Sequence, residues 1–137
     1  MGIELASRAT IIVSVLTLGY NLYHLGNAYA QMRLQFQNFR QALVAESFDF
    51  SRARRMNQAV IVFMPLAYAT LLFLAGFAWW LLALVAAKYA FSGFLSDFFQ
   101  VRVLQGKCLR RRHFRLFKVD ALLNVMLLAL ILYLVVL

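Results

Sequence analysis

Apolar residues are gathered into three long stretches, and their lengths predict how the chain is folded. The first, residues 9–30, would make a helix of about 33 Å, enough to cross a hydrocarbon core of about 30 Å. The last, residues 119–137, also reads as a crossing. Between them residues 59–101 are interrupted only by Lys88, Asp97 and a few small polar residues. As one helix this stretch would measure about 65 Å, twice the bilayer core, so it must fold back. Gly76, followed by Trp79 and Trp80, supplies a flexible point and two interfacial aromatics, predicting crossings at residues 57–77 and 79–101. A turn at Lys88 to Gly93 is the alternative, and would leave one overlong helix and one short one.

Residues 31–56 are too many for a simple connection. Met32, Phe36, Phe39 and Leu43 recur at helical spacing and make one apolar face, with Arg33, Gln37, Arg40 and Gln41 elsewhere around the helix. Such a segment either lies in the membrane interface or prolongs the first helix into water. Pro65 falls about two turns into the second crossing and predicts a kink there. The expected fold is an all-α integral membrane protein: one domain, residues 1–137, forming a four-transmembrane-helix bundle with an interfacial or cytoplasmic helical segment between helices 1 and 2.

Charge reinforces this reading. Hydrophobic residues make up 64% and charged residues 14% of the chain, against about a quarter charged in a typical soluble domain. Twelve of the fourteen Lys and Arg residues fall in residues 33–55 and 102–118; Arg8 and Lys88 are the exceptions. Loops on the cytoplasmic side retain Lys and Arg, so both segments share that side only if the chain crosses an even number of times between them. Four crossings follow, with both termini outside and a bacterial inner membrane as the expected location.

A net charge of +9 would suggest nucleic acid if the cations covered a water-exposed face. Here they flank apolar segments, so anionic lipid headgroups are the expected partners and nucleic acid is not. The densest group, Lys107, Arg110, Arg111, Arg112, Arg115 and Lys118, either contacts such lipids or acts only as a topological signal. Cys108 stands alone and cannot form an intrachain disulfide. Ala6 occupies the position where a myristoylation signal has Ser or Thr, and the first apolar segment lacks the basic start of a cleavable signal peptide.

Phosphate loops, paired-cysteine sites, His-Glu-x-x-His runs and nucleophile elbows are all missing. No metal site and no cofactor are expected, and His113, set among arginines, makes a poor haem partner for His24. One pattern stands out in the first crossing: Thr10, Ser14, Thr17, Asn21, His24, Ala28 and Gln31 follow one another at alternating spacings of four and three. They form a small and polar stripe, which in lipid must meet another helix, a cavity or a ligand.

Ionisable groups inside a membrane cost at least about 2.5 kcal/mol each at the helix centre and point to function. Counted from the basic ends, His24 lies roughly 10 Å deep and Asp97 and Asn124 roughly 7 Å. These positions predict a cluster of His24, Asp97 and Asn124, with Asn21 one turn deeper and Asp97 pairing with the histidine. It would serve either as a structural ion pair or as a proton-handling or substrate site. Lys88 is expected to snorkel to the outer interface, and Asp120 to pair with Lys118 at the surface.

Three functions fit these features. The first is a non-catalytic structural, assembly or accessory subunit of a homo- or hetero-oligomeric membrane complex, with lipid-binding capacity. The others are a membrane-embedded enzyme acting on a lipid or quinone, and a proton or ion pathway in a homo-oligomer.

Overall fold

The computed structural model describes all 137 residues and is entirely helical. Five helices follow one another: α1 (Gly2–Gly26), α2 (Tyr29–Ala45), α3 (Phe50–Leu74), α4 (Trp79–Leu104) and α5 (Arg111–Val136). Four of them, α1, α3, α4 and α5, are long and apolar enough to cross a membrane. The turn between α3 and α4 falls at Gly76, and α4 runs unbroken through Lys88 and Gly93. Pro65 lies inside an α3 that stays helical on both sides of it.

Local chemistry explains where the helices stop. Gly76 adopts φ +83°; its N–H bonds to the Phe73 carbonyl (3.0 Å) and the Phe77 N–H to the Leu72 carbonyl (3.1 Å). That hydrogen-bond pair closes a helix through a left-handed residue, a conformation in which glycine lacks the steric penalty of other residues. Gly106 (φ +70°) ends α4 in the same way. Ser47 (φ 52°) does so for α2, although it carries a Cβ. At the start of α3, Asp49 accepts a hydrogen bond from the Ser51 N–H (2.9 Å), which holds its carboxyl below the usual carboxylate range.

Several boundaries differ from expectation, among them α3, which begins at Phe50 rather than at 57. α1 starts at Gly2 and stops at Gly26, because Asn27 and Ala28 are extended. Residues 29–45 therefore form a separate helix, and Gln31 belongs to α2, off the α1 stripe, where its side chain accepts from the Ala28 N–H (3.2 Å). α5 begins at Arg111, eight residues before the expected start at 119. There the Arg110 N–H bonds to His113 Nδ1 (3.0 Å), so the buried His113 ring caps the helix.

Helices adjacent along the bundle run antiparallel: α1 packs on α5 and α3, and α3 on α4, while α4 and α5 approach less closely. α2 lies across the basic end, against α4 and α5. One apolar cluster fills the half remote from the basic end, around Tyr68, Leu72, Leu81, Val85, Leu128 and Ile131. A second, including Met32, Leu95, Phe99, Val103 and Phe114, binds α2 to the basic end. Only 25 of the 137 residues are buried, and Phe63, Leu66, Phe73 and Phe94 are each more than 60% exposed. An apolar surface of this extent requires lipid or protein against it.

Candidate functional site

The polar residues of the α1 stripe turn inward. Thr10 and Ser14 are fully buried and Asn21 is nearly so. Thr10 and Thr17 donate back to the carbonyls of Ala6 (2.8 Å) and Val13 (2.7 Å), satisfying their hydroxyls within α1. Ser14 instead shares a 2.6 Å hydrogen bond with the Tyr68 hydroxyl and ties α1 to α3.

The main polar site lies deeper than Asp97, between α4, α5 and α1. Lys88 Nζ stands 2.6 Å from Asp120 Oδ1, with the two side chains 12% and 10% exposed. The same ammonium donates to Ser92 Oγ (2.7 Å), and Ser92 Oγ donates to Asp120 Oδ1 (2.9 Å), closing a three-membered ring of contacts. One turn along α5, Asn124 Nδ2 donates to Asn21 Oδ1 (3.1 Å), and Asn21 Nδ2 donates to the Thr17 carbonyl (2.8 Å). Ser92 lies 3.5 Å from Asn124 Oδ1, so the ring and the amide pair adjoin. The network fills the wide gap between α4 and α5 with groups that neutralise one another, which is what buried charge requires.

This arrangement corrects two expectations. Lys88 does not snorkel outward; it turns into the bundle because Asp120 lies at its level. Asp120 does not pair with Lys118, because the early start of α5 carries Asp120 more than two turns into the helix. Lys118 instead donates to the Leu25 carbonyl at the end of α1 (3.2 Å), where a cation meets the negative end of the helix dipole.

The predicted four-residue cluster divides in two. Asn21 and Asn124 meet, whereas Asp97 and His24 do not. Asp97 receives both Nε (3.3 Å) and a terminal nitrogen (3.1 Å) of Arg54, one turn into α3. A guanidinium fork offers a carboxylate two parallel bonds, which an imidazole cannot match. The pair sits at the basic end, with side chains 48% and 24% exposed.

His24 makes no side-chain hydrogen bond at all. Its ring is held edge-on by Tyr20 (4.3 Å), Tyr23 (5.5 Å) and Phe117 (5.4 Å), and its Nδ1 is buried without a partner. Of the dense basic group, Lys107, Arg110, Arg111, Arg112 and Arg115 are exposed, and Arg111 stacks over the Tyr29 ring at 5.6 Å. Cys108 is a free, exposed thiol. No group of His, Cys, Asp and Glu residues is placed to hold a metal ion.

Ser92 and Tyr68 are site residues with no counterpart among the sequence expectations, which place Lys88 at the outer interface and Asp120 at the surface. A signal was available: Lys88 and Ser92 on α4, and Asp120 and Asn124 on α5, are both polar pairs four residues apart on otherwise apolar helices, hence on one face each.

The architecture and site define a class: an all-α protein with four helices able to cross a membrane and a charge-neutral polar network between them. Neither family models, curated proteins nor solved structures give a match to the chain.

Proposed function

We propose that the protein is a non-catalytic accessory subunit of a membrane complex, homo- or hetero-oligomeric, held in a bacterial inner membrane. Both termini then lie outside and both basic segments face the cytoplasm, as the distribution of Lys and Arg favours. The observation that carries this reading is that each acid within the bundle already has a cation from the same chain. Asp120 is held by Lys88 and Asp97 by Arg54. Asp97 is engaged by Arg54 and does not meet His24, so the acid–base pair that a catalytic reading with these two residues would need is not assembled.

Two further features support the subunit reading. Large aromatic and aliphatic side chains on the outer faces of α3 and α4 offer surface for a neighbouring helix or lipid. The exposed cations Lys107, Arg110, Arg111, Arg112 and Arg115 suit anionic headgroups at the same end. An ion pathway along the bundle meets an apolar layer of Leu72, Leu81, Val85, Leu128 and Ile131, each 0–1% exposed, and the hydroxyls and amides of α1 are satisfied inside a single copy.

Purification in a gentle detergent followed by native mass spectrometry tests the reading. A stoichiometric complex, with a second protein or with further copies, is expected. A bare monomer under conditions that keep the chain folded would refute it.

A further inference from the structure

The side chains at the basic end leave an opening that the polar network does not fill. A cavity of about 380 Å³ is lined by residues of all five helices, and a second of about 280 Å³ continues from it toward Asn124. Tyr20, His24, Ser96 and Phe117 line both, so they form one groove. Its volume falls within the range of small-molecule sites. Tyr20, Val60 and Met64 stand 62%, 56% and 58% exposed along its side, so it opens laterally between α1 and α3, where a membrane-embedded bundle meets acyl chains.

Three polar side chains lining the wider part carry atoms that are shut off from solvent and have no partner in the protein: His24 Nδ1, Asn57 Nδ2 and Gln100 Oε1. Buried polar atoms are nearly always hydrogen-bonded, and several orphans in one cavity call for an explanation. They are complementary in kind, since Asn57 Nδ2 donates, Gln100 Oε1 accepts, and an imidazole does either according to its tautomer. The terminal torsions of Asn and Gln are broad, so both amides can swing toward a guest. The groove also lacks a free charge. Asp120 is its one carboxylate, already bound to Lys88, and no Lys or Arg lines it.

We infer that the groove binds one uncharged, hydroxyl- and ester-bearing lipid of the diacylglycerol class. The free hydroxyl donates to Gln100 Oε1, an ester carbonyl accepts from Asn57 Nδ2, and His24 bonds either. One chain lies along Val60, Met64 and Pro65, and the other leaves sideways past Tyr20. A phosphate-bearing head would enter a site with no cation to meet it, while Arg110, Arg112 and Arg115 stand outside the groove. The inference rests on the membrane reading above, and requires nothing of the partner subunits.

The test uses the full chain in phosphatidylcholine nanodiscs with a diacylglycerol carrying a photoactivatable acyl chain. Cross-links should concentrate on peptides containing Tyr20 to His24 and Val60 to Pro65. Unlabelled dioleoylglycerol should compete, and dioleoyl phosphatidic acid should not. Asn57→Leu combined with Gln100→Leu should weaken binding about thirtyfold, the effect of two net hydrogen bonds. The same change should leave the melting midpoint of the lipid-free protein unchanged or higher, because it removes unsatisfied buried amides, whereas a purely structural role predicts a lower one. Should the double variant not purify folded, each single change should weaken binding about fivefold. Labelling spread evenly over the lipid-facing surface, equal competition by phosphatidic acid, or undiminished binding by the variants would each overturn the proposal. A chain that purifies without partners yet gives the expected cross-links removes the subunit reading alone.

Discussion

Replacing Lys88 or Asp120 singly should damage the fold far more than replacing both. At a separation of 2.6 Å the pair attracts by about 6 kcal/mol at an effective dielectric constant of 20. Withdrawing each ion from water costs several kcal/mol, so attraction and desolvation nearly cancel. Lys88→Met leaves a carboxylate almost enclosed, with Ser92 as its remaining side-chain donor, and Asp120→Leu strands the ammonium likewise. Each should destabilise by about 3–5 kcal/mol. The double variant places two apolar side chains in an apolar setting and should recover most of that loss. Reversible unfolding in mixed detergent micelles, followed by circular dichroism, gives the three differences and hence the coupling energy. We expect a coupling of about 3 kcal/mol or more. Single changes of under about 1 kcal/mol that simply add would refute the reasoning, since they would mean that water reaches the pair and screens it.

Other consequences follow from local geometry. Ser47→Gly should raise stability by about 1 kcal/mol in the same unfolding assay, because Ser47 closes α2 with a φ of 52° that disfavours a Cβ. A Cβ added to Gly93 would overlap Ile61 Cγ2, so Gly93→Ala should destabilise by about 1–3 kcal/mol and Ile61→Ala should partly rescue it; equal effects in both backgrounds would contradict the close approach of α3 and α4. Tyr68→Phe should lower stability by about 1 kcal/mol through the lost Ser14 bond, and should have no effect in a Ser14→Ala background.

The four helices long and apolar enough to cross a membrane were legible in the sequence because hydrophobic length is a strong signal. The hairpin at Gly76 was legible because one apolar run of this length holds two membrane-length helices and a glycine near its middle. The inward face of α1 could also be read, since Thr10, Ser14 and Asn21 share one side of a helix. The partners of the buried charges could not be read in the same way. The arginines before Asp120 resemble a loop that would leave it at an interface, yet Arg111, Arg112 and Arg115 are good helix formers and α5 runs straight through them. That shift of about two turns moved Asp120 to the level of Lys88 and left Lys118 free to meet Leu25. Depth alone matches Asp97 to His24, whereas its partner is decided by the lateral placement of Arg54, which depends on how α3 packs on α4. The groove was likewise invisible, because His24, Asn57 and Gln100 come from three helices and nothing in their spacing links them.

The proposed orientation and the lateral opening of the groove to lipid both require four crossings that put both basic segments on one side. Cysteine labelling in sealed, oriented membrane vesicles tests this directly, using the native thiol Cys108 and, in a Cys108→Ser background, single cysteines at Ser47, Gly76 and Leu137. A membrane-impermeant maleimide applied from the cytoplasmic side should modify Cys108 and the position 47 cysteine. Positions 76 and 137 should react only from the opposite side. Reaction of Cys108 and position 47 from opposite sides, or of positions 47 and 76 from the same side, would contradict the account.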